Sequence, residues 1–123
     1  MPARQEISAF IRSSFHSVWS LELMCILRKA PDRSWSQAEL VAAMRSSDLV
    51  VQQSVDLLLT AGLVVTDSAG SVRFQPANEA TERMAAAAEL MYIQRPDAVR
   101  RMIVAPSSSA RLFAEAFRIR REE

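Results

Sequence analysis

His16 is the only histidine in the chain and Cys25 the only cysteine, so the two side chains best suited to metal or nucleophile chemistry each stand alone. A structural zinc site needs four ligands, usually several Cys or His at short spacing, and no such cluster exists here. With one cysteine there is no internal disulfide. A serine could be paired on paper with His16 and an acid, but the chain has no nucleophile elbow and no glycine-rich phosphate loop. It holds two glycines, Gly62 and Gly70. No pair of carboxylates falls on one helical face for general acid–base work. His16 therefore reads as an ordinary surface or boundary residue. Cys25 lies in a mostly apolar helical stretch and reads as an inert core thiol, since a redox sensor needs an exposed thiolate of low pKa. The six methionines read as core filler rather than a cofactor box. The expectation is a protein that is not an enzyme and carries no cofactor and no metal.

What remains is binding chemistry. From Arg95 to Arg121 there are seven arginines and two acids, a balance of +5. Arg100, Arg101, Arg118, Arg120 and Arg121 could meet phosphates, an acidic protein or a membrane surface. The plainer reading is a solvated helix face with pairs such as Arg111 and Glu115 at i,i+4. The whole chain is nearly neutral, with 15 Lys+Arg against 14 Asp+Glu, so the positive charge is local.

The 123 residues are half hydrophobic and 24% charged, a globular composition long enough for one domain. No run approaches 18 apolar residues, and the start lacks the apolar stretch of a secretory signal, so a membrane span is not expected and a cytoplasmic location is. Fourteen of the 15 basic residues are Arg and alanine is abundant, which suggests a GC-rich bacterial source.

The elements follow from period and punctuation. Ile7, Phe10, Ile11 and Phe15 at helical spacing predict a helix over Arg4 to Phe15. Ser17 can cap a second, from Val18 to Lys29, whose Val18, Trp19, Leu21, Met24, Ile26 and Leu27 predict a largely buried helix stopped by Pro31. Ser34-Trp35 precede a capping box, Ser36 and Glu39, that starts a helix from Gln37 to about Met44. Arg45-Ser46-Ser47 is a short turn, and Ser47 with Asp48 starts a helix to Ala61 with Val51, Val55 and Leu58 on its inner face. Gly62 supplies the left-handed residue after it. The period then changes from 3.6 to 2, which predicts a hairpin from Leu63 to Asp67 and Ser71 to Gln75 across a turn with Gly70. Asn78 can cap a helix from Glu79 to Gln94, Pro96 interrupts it, and Asp97 to Val104 and Ala110 to Arg121 are further helices, the last with Leu112, Phe113, Ala116 and Phe117 on one face.

Helix, short strand, helix, turn, helix, hairpin is the order of a winged helix-turn-helix, and the three- or four-residue turn is the length that motif uses. On Ser34 to Leu40, then Val51, Val55 and Leu58, then Ala61-Gly62-Leu63-Val64, the chain resembles the MarR-like winged-helix transcriptional regulators. The resemblance covers about 60 residues; the flanking helices match by architecture only. It implies a mostly α fold with a small β-hairpin wing, divided as an N-terminal helix over 1–16, a winged helix-turn-helix over 17–76 and C-terminal helices over 77–123. It implies a bacterial DNA-binding transcriptional regulator whose recognition helix runs from Asp48. Val50, Gln52 and Gln53 would then face the major groove, where Gln can pair with adenine N6 and N7 and Val50 can touch a thymine methyl. Arg45 and Ser47 would stand at the helix start, where hydroxyls and N–H groups meet phosphate, and Arg73 would be the wing contact. It also implies a homodimer, with Phe10, Ile11 and Phe15 from one end and Leu112, Phe113, Ala116 and Phe117 from the other at the interface.

The chain departs from that family in its charge. From Ser34 to Pro76 there are two basic residues, Arg45 and Arg73, and four acids, Glu39, Asp48, Asp56 and Asp67, a balance of −2. Phosphate neutralisation supplies most non-specific affinity for DNA, so this balance opposes tight binding. Leu49, Val50 and Leu57 add apolar character where a DNA reader is polar, unless the flanking helices cover them. The second expectation is therefore a winged-helix protein-interaction module without appreciable DNA binding.

Overall fold

The computed structural model describes residues 2–104. Its elements are α1 (Arg4–Ser14), α2 (Val18–Arg28), α3 (Gln37–Met44), α4 (Asp48–Thr60), β1 (Val64–Thr66), β2 (Val72–Phe74), α5 (Glu79–Gln94) and α6 (Pro96–Val104). The described chain is thus six helices and one two-stranded antiparallel sheet. Ala110 to Arg121 lies outside the described residues, and with it Leu112, Phe113, Ala116 and Phe117.

Side-chain caps explain why the helices begin where they do. Ser17, Ser47 and Asn78 accept from the backbone N–H of Ser20, Val50 and Thr81. At α3 the box is reciprocal: Ser36 Oγ accepts from Glu39 N at 3.1 Å and Glu39 Oε1 accepts from Ser36 N at 2.8 Å. The bond from Ser36, with help from Arg33, holds the Glu39 carboxyl below its ordinary pKa, so this bond is at full strength above that value and is lost as acid protonates the carboxylate. Ser36→Ala and Ser47→Ala are each expected to cost about 1 kcal/mol, read as a lower urea midpoint at unchanged slope. Gly62, at φ +75°, ends α4, with Leu63 N donating to Leu58 O at 3.0 Å.

In the sheet Val64 pairs with Phe74, Val65 with Arg73 and Thr66 with Val72. Asp67 closes the hairpin turn by accepting from Ala69 N and Ser71 N, both at 2.9 Å. Trp35 adds a single bridged residue to the sheet: its N–H donates to Val72 O and its C=O accepts from Val72 N, each at 2.8 Å. This bridge pins the segment before α3 to the hairpin after α4, so the α3–α4 pair is clamped at both ends.

One core joins all the elements. Leu21, Leu23, Met24 and Leu27 of α2 pack with Leu40 of α3, Val51 and Leu58 of α4, Val72 and Phe74 of β2, Ala85 and Ala88 of α5, and Val99 and Ile103 of α6. The first helix belongs to this core. Ile11 is 0% and Phe15 1% exposed, so these two residues, expected at a dimer interface, are interior residues of a single chain. The reason is size. A 60-residue motif buries too small a fraction of its surface to be comfortably stable, and the flanking helices enlarge its core. Phe10, half-buried, meets Phe15 edge-to-face with ring centroids 5.8 Å apart. Polar ties span the same layer. Arg28 pairs with Glu89, and the Tyr92 hydroxyl donates to Glu22 Oε2 at 2.8 Å while accepting from Arg100 Nη2 at 3.4 Å.

Trp19 departs from the expected burial of α2. It is 42% exposed. The helix is apolar on nearly every side, so its sequence does not show which side faces solvent. Among the described residues no helix is long and apolar enough to cross a membrane.

Candidate nucleic-acid interface

The turn between α3 and α4 is short, and Arg45 holds it in the left-handed conformation at φ 53°, ψ 47°. An L-residue there costs about 1–3 kcal/mol relative to an unstrained backbone, and Gly would be the cheaper choice. The geometry thus keeps an exposed guanidinium just before α4 at some cost in stability. Gln37 Nε2 donates to the Asp48 carbonyl at 3.1 Å, tying the first turns of α3 and α4 together. Ser47 Oγ is used by the cap; its own O–H is left to donate outward.

Along α4, Val51, Ser54, Val55 and Leu58 face the core, as the inner stripe predicted, with Ser54 added. Gln52 and Gln53 are both exposed and Val50 is half-buried. The two glutamines do not share one surface, because adjacent helical residues are about 100° apart. Gln52 lines a groove toward the hairpin, with Gln37, Leu59, Thr66 and Gly70. Gln53 lines a groove toward the start of α2, with His16, Trp19, Val50 and Leu57. Asp56 borders both. Leu49 is 64% exposed, so no described element covers it; Leu57 is partly covered.

Arg73 is placed apart from these groups. On β2 its neighbours Val72 and Phe74 point inward, so Arg73 points outward. It donates to Gln75 Oε1 at 2.6 Å and borders a hollow with Asp32 and Glu82 rather than the groove that Gln52 lines. The structure therefore brings Arg45, Ser47, Val50 and Gln53 to one end and flank of α4, Gln52 to the other flank, and leaves Arg73 on a third surface.

Two residues not singled out as candidates belong to this region. Arg33 stacks 3.6 Å over the Trp35 ring and pairs with Glu39 at 3.3 Å, so part of its charge is already matched. Trp19 forms the wall opposite Gln53. Its position is a tertiary fact, set by how α2 crosses α4, and helical period could not show it. Trp35 Nε1–H is buried without a partner. Among the described residues no group of three His, Cys, Asp or Glu could hold a metal ion. In comparison with known proteins, no family model, no curated protein and no solved structure gives a significant match.

Proposed function

We propose that the chain is a winged helix-turn-helix regulator of a bacterial cytoplasm that contacts double-stranded DNA through α4. The observation that carries this reading is the clamped α3–α4 pair: a short turn in which Arg45 accepts a strained backbone, followed by a helix that exposes Gln52 on one flank and Gln53 on the other. The hairpin after α4, bridged to Trp35, supports the wing assignment. In this reading α4 lies in the major groove and its amides read adenine edges, while Arg45 and the Ser47 hydroxyl anchor phosphates. The low cation count sets the expected strength. With Arg45 as the cation beside α4, each protomer gives a salt slope of only about −0.9, rising to about −1.8 only if the separate wing surface that carries Arg73 also meets the backbone. A homodimer would double the contact set and suit a two-fold site. With Ile11 and Phe15 interior, the exposed Leu90 and Ile93 of α5 are the better surface for it.

A titration of labelled random and selected duplexes at several salt concentrations tests the reading. Gln52→Ala with Gln53→Ala should cost about 1–3 kcal/mol for each base contact on a selected site and leave random-duplex affinity unchanged. One observation favours a second reading: α4 has no Arg or Lys and exposes Leu49. That surface suits an apolar protein partner. Undetectable DNA binding at low salt would replace the first reading with this one.

A further inference from the structure

Arg33 precedes by one residue the segment from Ser34 to Pro76, whose charges balance at −2. Folding brings it into the motif nonetheless. Its guanidinium stacks 3.6 Å over the Trp35 ring. Trp35 is itself fixed, because its N–H and C=O both bond to Val72 of β2 at 2.8 Å. Arg33 Nη2 lies 3.3 Å from Glu39 Oε2, and Oε1 of the same carboxylate accepts from Ser36 N at 2.8 Å. The guanidinium therefore stands one carboxylate away from the start of α3. Ser36 lines the groove that also holds Gln37 and Gln52, and Gln37 ties the start of α3 to the start of α4.

We propose that Arg33 is a phosphate contact of the DNA interface, held in place by the Trp35 ring and paired with Glu39 until DNA replaces that partner. The proposal rests on the reading of α4 as the recognition helix. Three observations carry it. The first is placement. In a helix-turn-helix the helix before the recognition helix crosses the DNA backbone. Here that helix is α3, eight residues and about 12 Å long. Arg33 meets its first turn and Arg45 caps its C-terminal end, so a cation stands at each end.

The second is preorganisation. A long side chain loses rotamer freedom when it meets a ligand. Arg33 has already given up part of that freedom to the ring, and a planar guanidinium suits both the ring face and a phosphate. The third is exchange. The Arg33 and Glu39 side chains are each about half exposed, and exposed pairs contribute little to stability. A phosphate can replace Glu39 at the guanidinium while Glu39 keeps its bond to Ser36 N. Asp48 and Asp56 border the same groove and oppose an anion there, so a cation at this end of α3 offsets them.

Titration of a random duplex with the full chain at several salt concentrations tests the contact. Arg33→Ala should make the slope of log affinity against log salt shallower by about 0.9 per protomer and weaken binding roughly tenfold at about 50 mM salt. Arg33→Lys keeps the charge and should restore the slope. Glu39→Gln keeps a capping side chain for Ser36 but removes the carboxylate that competes with phosphate, so it should bind severalfold more tightly than the parent. A purely structural ion pair gives no such gain, and equal or weaker binding by Glu39→Gln overturns the exchange. Arg4→Ala removes a cation from the recess between α1 and α5 and should leave the slope unchanged; an equal change there makes the effect one of net charge and overturns the contact. Urea midpoints near that of the parent show that each variant is folded. An unchanged slope in Arg33→Ala, with the parent still binding, overturns the contact alone, even where affinity falls. Absence of binding by the parent at low salt overturns the DNA reading and the contact with it, so the two failures are distinct results.

Discussion

Phe15→Ala is expected to destabilise the chain by about 3–5 kcal/mol, a large part of the stability of a domain of this size. Phe15 is fully enclosed, packs edge-to-face on Phe10, and belongs to the core shared by α1, α2, α5 and α6. Truncation removes the buried ring and leaves a cavity that rigid helices cannot close. Urea denaturation measures the loss, and the difference between the variant and the parent chain should be independent of protein concentration. That independence distinguishes a core residue from an interface residue, whose removal would change the concentration dependence instead. A loss below about 1 kcal/mol, or one confined to low concentration, would return Phe15 to an interface.

Cys25 is expected to react at least roughly thirtyfold more slowly at pH 8 in the folded chain than in the unfolded one. Burial is the main cause and the nearby Glu89 carboxylate the second; together they push the thiol from 9.0 to about 12. Three pKa units reduce the thiolate fraction about a thousandfold below the ordinary pKa, and the greater nucleophilicity of the more basic thiolate offsets part of that in the rate. The linkage follows in sign. Unfolding releases a proton from this thiol above pH 9, so its contribution to stability is complete below 9 and is lost as the pH rises toward 12. Alkylation of native and urea-unfolded chain at pH 8 checks the rate. Comparison of alkaline unfolding with Cys25→Ala checks the linkage, because other groups titrating in that range are common to both chains. Glu89→Gln should recover part of the reactivity, although it also releases Arg28 from its ion pair.

The difference between Gln52 and Trp19 shows where local information stops. Gln52, Gln53, Ser47 and Arg45 lie on a helix and turn whose limits are set by nearby residues: the Ser36–Glu39 box, the Ser47 cap and Gly62. Their exposure was legible, because an apolar stripe at Val51, Val55 and Leu58 dictates which sides of α4 remain outside. Trp19 sits on a helix with no such stripe, and only the crossing of α2 over α4 leaves it facing solvent. Arg73 shows the same limit on a strand. Alternation correctly turned it away from the core, but which neighbours it met depended on how the hairpin lay against Pro31 and Glu82.

By itself the sequence determined the described secondary structure, because caps, prolines, glycines and hydrophobic period act over a few residues and need no distant partner. The limits of α3, α4 and α5 and the hairpin after Gly62 follow from such short-range terms. Tertiary structure decided which apolar surfaces found partners. Ile11 and Phe15 were apolar enough for a subunit interface, and they became core only because α5 and α6 return to pack on α1. The strand-like role of Trp35 likewise required Val72, which lies 37 residues away in the chain. Hydrophobic burial is non-directional, so a sequence states how much apolar surface must be covered, while the arrangement of the whole chain decides what covers it.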